Sequence, residues 1–163
     1  MKFELIPKSK AKTSWGLLRD VRKAMLAEPR RVDMITFVRD LDSYEWMMES
    51  RSRPQPACGT QGCIAGWMHL VTSTEVGKAR SRSLAQQRAF QLLPESVHED
   101  AARLFYDHHD EKGKFPYPWP ASIPAGTPAY AKAVVRNLDK FMRKHERALR
   151  AFKLPQRDKS IAA

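Results

Sequence analysis

Cysteines and long apolar runs are scarce in this chain of 163 residues. There are two cysteines, and no stretch reaches the roughly 18 apolar residues that a membrane-spanning helix needs. The first residues, Met-Lys-Phe-Glu-Leu-Ile-Pro, lack the apolar core of a signal peptide. Two cysteines in a chain without an export signal argue against a disulfide framework, so we expect both thiols to be reduced. We predict a soluble protein without a membrane partner that stays in the compartment where it is made.

Acidic residues are also few relative to basic ones. The 18 Asp and Glu residues stand against 29 Lys and Arg, which leaves a formal net charge of +11. This imbalance favours a polyanionic partner, either a nucleic acid or an acidic protein surface. No internal repeat is present, and an apolar content of 42% is sufficient for one domain with a buried core.

The most constrained stretch is 58–67, which places two cysteines, three glycines and a tryptophan within ten residues. Thr60 suits a helix N-cap. From Gly62 onward the residues are apolar, which predicts a buried helix with Cys63 in its first turn. Gly62 and Gly66 lie on one face of that helix, where the missing side chains let another backbone approach closely. We assign a structural role to this signature, through Cys58, Thr60, Gly62, Cys63, Gly66 and Trp67.

The apolar spacing predicts an all-α fold. We expect a compact single domain of five or six helices around the buried signature helix, with at most a minor strand pair near the signature. A first helix is expected from Thr13 or Ser14 to about Glu28, with two short helices meeting at Pro94.

The domain organisation follows from composition. We assign residues 1–12 to a basic N-terminal arm that is extended or frayed, 13–154 to one helical domain and 155–163 to a loose tail. The segment 113–128 holds five prolines and three aromatic residues, so we expect a loop packed over the core.

The last helix shows the clearest pattern. Apolar residues from Ala131 to Phe152 share one face, and basic residues, beginning with Lys132, share the other, which predicts one continuous amphipathic helix. A second basic stretch lies at 78–88. Because phosphate binding requires only clustered cations, we predict that the polyanionic partner binds these basic residues. The predicted binding residues are Lys78, Arg80, Arg82, Arg136, Lys140, Arg143, Lys144, Arg147 and Arg150.

The signature resembles one in a scattered set of small bacterial and phage proteins, which carry Cys-Gly-Thr-x-x-Cys-Ile-Ala-Gly followed by Trp or His. Other elements of that set fit this sequence in the same order: Val32-Asp33-Met34, Leu92-Leu93, Ala102-Arg103-Leu104-Phe105, Trp119-Pro120 and the helix 131–141. The resemblance spans about 15–145. It implies a phage or mobile-element protein in the cytoplasm of a bacterial host, and it supplies no catalytic residue.

Two chemical alternatives centre on Cys63. A helix N-terminus lowers the pKa of a thiol, and a nucleophilic Cys63 then needs a base from among His69, His98, His108 and His109. The apolar neighbours Ile64 and Trp67 favour a buried, inert thiol instead. The other alternative is a zinc site, although the repeated Cys-x-x-Cys of a strong zinc signal is absent. Its candidate ligands are Cys58 and Cys63, together with His69 or the pair His108 and His109.

We therefore predict a non-enzymatic interaction protein, without a cofactor, whose basic face binds nucleic acid or an acidic host protein. The alternatives are a small cysteine-dependent or zinc-dependent enzyme centred on Cys63 and a component of virion assembly.

Overall fold

The computed structural model describes residues 8–32, 39–40, 60–61, 63–72, 82–105, 116–118, 120 and 122–155, with the backbone alone for 39–40, 60–61 and 82–86. Within these residues the chain forms six α-helices: α1 (Ser14–Ala27), α2 (Ile64–Thr72), α3 (Arg82–Gln91), α4 (His98–Phe105), α5 (Pro128–Lys144) and α6 (Glu146–Ala151). Two-residue strands, β1 (Arg39–Asp40) and β2 (Thr60–Gln61), pair antiparallel. The predicted all-α fold with a minor strand pair beside the signature is confirmed.

Helix α2 lies at the centre of the core. Every residue from Ile64 to Thr72 is buried, and Trp67 is fully buried. Helices α1 and α3 both pack against it. A helix that is apolar on all sides is stable only when it is enclosed, which explains why the signature forms the central element.

Helix α1 has the capping and spacing that its sequence predicts. The side-chain oxygen of Thr13 accepts a hydrogen bond from the backbone N–H of Gly16 at 3.2 Å, and the helix ends at Ala27, just before Pro29. The hydroxyl of Ser14 donates to the carbonyl oxygen of Leu92 at 2.6 Å, which joins α1 to the end of α3. The buried face of α1 is formed by Leu17, Leu18, Val21 and Met25.

Helix α5 begins in the same way. The side-chain oxygen of Thr127 accepts from the N–H of Tyr130 at 3.2 Å, and Pro128 occupies the first turn, where its missing N–H costs nothing. The buried face includes Val134, Leu138 and Phe141 and packs against α1 and α4.

The prediction of one continuous closing helix is wrong at His145. The backbone of His145 leaves helical dihedrals, with φ −113° and ψ 18°, and α6 starts at the next residue. The ring of His145 contacts Phe141, with centroids 4.9 Å apart, and its Nε2 donates to a carboxylate oxygen of Asp100 at 2.7 Å. Apolar spacing does not reveal such a distant partner, so it did not predict the break.

The prediction that Thr60 caps the signature helix is also wrong. Thr60 lies in β2, opposite Asp40 of β1, and α2 does not begin until Ile64. Cys63 directly precedes α2, and its carbonyl oxygen accepts the first helical hydrogen bond, from the N–H of Trp67 at 2.8 Å. Because Thr60 is part of the strand pair, it lies outside the turn that precedes α2 and does not cap this helix.

The two described ends of the chain lie side by side. Thr13 and Lys153 form an antiparallel backbone bridge, and the N–H of Leu154 donates to the carbonyl of Lys12 at 3.0 Å. The preceding residues are bound to α2, since the ammonium of Lys8 donates to the carbonyl of Leu70 at 2.8 Å. Residues 8–12 are therefore fixed to the domain by hydrogen bonds.

Candidate functional site

The signature cysteine is enclosed in the core. Cys63 has no solvent-exposed surface, and neither has Trp67, which follows one helical turn later. A buried thiol in apolar surroundings is chemically inert, because its reactive thiolate form is disfavoured there. The geometry at Cys63 is that of a packing residue.

His69 is the histidine nearest to Cys63 in sequence, and it is 4% exposed. Burial lowers its pKa, and the positive charges of Arg88 and Lys8 lower it further, so the ring is neutral at pH 7. Its Nδ1 has no hydrogen-bond partner within the part of the chain that the structure describes.

Helix geometry keeps Cys63 and His69 apart. Six residues of α-helix separate them by a rise of about 9 Å and a rotation of about 240°. A nucleophile and its base require a hydrogen bond of about 3 Å. The other described candidate base, His98, binds the end of α3. Its Nε2 lies 2.9 Å from the carbonyl oxygen of Phe90 and 3.0 Å from that of Leu93.

The zinc hypothesis rests mainly on residues outside the described ranges. Cys58, His108 and His109 all lie there, as does Gly62 of the signature. Among the described residues, no group of three or more His, Cys, Asp or Glu side chains is arranged to hold a metal ion. No helix in the described ranges combines the length and apolarity needed to cross a membrane.

The predicted basic residues of α5 and α6 are all exposed. The 24 residues from Pro128 to Ala151 contain seven Lys or Arg and two carboxylates. At about 100° per residue, Lys132, Arg136 and Arg143 fall within an arc of about 40° on the side of α5 opposite its apolar face, and Arg147 follows in α6. We call Lys132, Arg136, Arg143 and Arg147 the cation stripe.

The cation stripe differs from the neighbouring cations in its pairing. No member of the stripe makes an ion pair or side-chain hydrogen bond with another described residue. By contrast, the ammonium of Lys144 lies 3.0 Å from Asp100, and Arg150 pairs with Glu146 at 2.8 Å. The ammonium of Lys140 donates to the carbonyl of Pro116 at 2.8 Å. Three of the predicted binding residues therefore have partners within the protein.

Helix α1 borders the stripe on one side. Arg22 Nε lies 2.8 Å from Asp139 Oδ1, and the guanidinium of Arg150 stacks over the ring of Trp15, 4.4 Å from its centroid. Since earlier residues of α1 meet later residues of α5 and α6, the chains run in opposite directions. Arg19 and Lys23, on either side of Arg22 in sequence, are exposed.

A buried carboxylate cluster borders the other side. Oδ2 of Asp100 in α4 accepts hydrogen bonds from the hydroxyl of Tyr117 at 2.5 Å, His145 Nε2 at 2.7 Å and Lys144 Nζ at 3.0 Å. The sequence analysis missed this cluster, because the partners of Asp100 lie 17 to 45 residues away from it. The one indication in the sequence is that Asp100 falls on the apolar side of α4. A carboxylate in that position is buried and therefore needs hydrogen-bond partners.

Most of the second predicted basic stretch lies outside the described side chains. Lys78 and Arg80 lie outside the described residues, and Arg82 is described only as the first backbone residue of α3. Their part in binding stays a prediction.

The comparisons with known proteins add no relative. No protein-family model matches this chain, and neither a curated protein nor a solved structure matches it.

Proposed function

We propose that this protein is a non-enzymatic interaction protein that binds nucleic acid through the cation stripe. The observation that carries the proposal is the exposure, on one face, of four cations that have no partner among the described residues. A cation that is already paired must break that pair before it binds a phosphate, whereas an unpaired one exchanges only water and counterions.

The buried position of Cys63 and its separation from His69 support binding rather than catalysis. The resemblance of the signature to phage and bacterial proteins supports a role within a phage or mobile element, in the cytoplasm of the bacterial host. No enzymatic step is assigned to any residue.

A binding experiment with two matched variants tests the proposal. Fluorescence anisotropy with a labelled DNA in 0.1 M salt compares wild type with R136Q/R143Q, which removes two stripe cations, and with R103Q/R150Q, which removes two arginines that are ion-paired to Glu99 and Glu146. Both variants lose two positive charges. Circular dichroism confirms that each is folded.

We expect R136Q/R143Q to weaken binding by about 60-fold in 0.1 M salt. At this concentration each lost phosphate contact lowers log K by about 0.9, so the loss of two contacts lowers it by about 1.8. R103Q/R150Q should change it by less than about fivefold. If wild type does not bind even in 0.05 M salt, the proposal is wrong and an acidic protein surface becomes the partner to test. Equal losses in the two variants would show that net charge, not the stripe, governs binding.

A further inference from the structure

The basic surface is two helices wide. The contact between Arg22 and Asp139 places the outer side of α1 next to the outer side of α5. Arg19 and Lys23 of α1 are exposed, and neither has an ion pair or side-chain hydrogen bond within the described ranges. They form a second row of cations beside the cation stripe. Packed helices have axes about 8–10 Å apart, so the two rows are separated by about that distance.

This arrangement matches a double helix better than a single strand. The two strands of a duplex border grooves about 6 and 12 Å wide, so phosphates lie in two rows at a comparable separation. Within α5 the stripe is about 17 Å long, since Lys132 and Arg143 are 11 residues apart at about 1.5 Å each. A single strand offers one row of phosphates and cannot engage both rows at once.

The aromatic residues of this surface point to the same class of partner. Proteins that bind single strands stack bases on exposed aromatic rings. On α5, Tyr130 and Phe141 are buried, and Tyr117 beside α5 is buried as well. Trp15 of α1 is half-buried and already stacked against Arg150. Among the described residues, neither α1 nor α5 presents a free ring on which a base can stack.

Helix α5 is also too enclosed to enter a groove. Arg22 holds α1 against one flank through Asp139, and on the other flank the Asn137 amide donates to the Pro118 carbonyl at 2.8 Å. A recognition helix must protrude to reach base edges, whereas cations on a broad face reach only phosphates. Contacts with phosphates carry no sequence information.

From these observations we infer that the partner is double-stranded nucleic acid, bound through its phosphates without regard to sequence by the cation stripe together with Arg19 and Lys23. This inference rests on the proposed function and names its substrate class. Six contacts predict a slope of log K against log salt of about −5 on duplex DNA.

The test uses the full-length protein with two unrelated 30-base-pair duplexes and one 30-nucleotide single strand, over a range of salt concentrations. We expect similar affinity for both duplexes, weaker binding to the single strand, and a slope smaller by about 1.8 on duplex for R19Q/K23Q. The slope of R19Q/K23Q on the single strand should equal that of wild type. K10Q/K12Q, which removes two N-terminal lysines outside both rows, is the charge-matched control and should keep the wild-type slope.

Each other outcome has a distinct meaning. Binding to the single strand as tight as to duplex, while R136Q/R143Q still weakens it, would overturn the duplex inference and leave the proposed function standing. A preference of more than about tenfold for one duplex would overturn sequence-independent contact. No binding to any of the three nucleic acids would overturn both proposals together.

Discussion

Asp100 carries a buried carboxylate whose two oxygens differ. Oδ2 accepts three hydrogen bonds, whereas Oδ1 has no hydrogen-bond partner in the described ranges. Burial by itself raises the pKa of Asp100, but the hydrogen bonds from Tyr117, His145 and Lys144 outweigh it and lower the pKa from 3.8 to about 2. Burial, together with the hydrogen bond to Asp100, raises the pKa of Tyr117. These bonds join α4, the segment around Tyr117 and the end of α5.

Because the folded protein holds Asp100 ionised, this residue stabilises the fold above its ordinary pKa and loses that effect as the pH falls from about 4 to 2. We expect Asp100→Asn to lower the free energy of unfolding at pH 7 by about 2 kcal/mol. Urea denaturation at pH 7 and at pH 2.5 measures the free energy of unfolding. The difference in this free energy between D100N and wild type should be smaller at pH 2.5. Glu99→Gln, at an exposed neighbouring carboxylate, is the control; a loss for D100N that does not depend on pH would contradict the assignment.

The burial of Cys63 leads to a second prediction. In a Cys58→Ser variant, Cys63 is the remaining thiol. An aromatic disulfide reagent that releases a coloured thiolate on reaction should modify Cys63 only as fast as the protein unfolds. In 6 M guanidinium the same thiol should react at once. Modification within seconds in the native protein would contradict the buried position and return the cysteine-dependent enzyme to consideration.

At the scale of elements, the sequence predicted the helices well where local rules decide. Thr13 and Thr127 each precede an apolar 3.6-residue pattern, and both cap the helix that follows. The sequence did not predict the break at His145, nor that Thr60 pairs in the strand instead of capping the helix, because the partners of these two residues, Asp100 and Asp40, lie far along the chain.

The cap of α5 can be tested directly. Thr127→Ala removes the oxygen that accepts from the N–H of Tyr130, and we expect it to lower the free energy of unfolding by about 1 kcal/mol. Thr127→Ser keeps a hydroxyl and should lose less than half of that. Thermal or urea denaturation with circular dichroism measures both variants. Equal losses would indicate that the methyl group of Thr127, not its cap, contributes the stability.

At the scale of the whole molecule, helical periodicity predicted which cations share the outer face of α5. It did not predict which of them have partners. On α5, the partners of Lys144 and Lys140 belong to other elements of the fold. On the neighbouring α1, Arg22 pairs with Asp139, 117 residues away. The candidate site could therefore be located from sequence as a face, but its division into paired and unpaired cations required the fold.

Asp139 limits the charge of this surface, since it neutralises Arg22 between the two rows of cations. We expect Asp139→Asn to release Arg22 and to strengthen duplex binding by up to about eightfold in 0.1 M salt, the effect of one additional phosphate contact. Stability should fall by no more than about 1 kcal/mol, because the pair is partly exposed. Asp20→Asn, at a carboxylate bonded to Ser9 instead, is the control for net charge and should strengthen binding much less.

The bridge between Thr13 and Lys153 has a consequence for how the protein can be engineered. Opposed residues of an antiparallel pair lie about 5 Å apart, so a linker of a few residues can join position 12 to position 154 without disturbing either helix. A circularly permuted chain, opened at the exposed Ser122 in the connection that precedes α5, should then keep the same packing. In such a chain the basic surface would lie next to the new ends, ready for fusion to a second module.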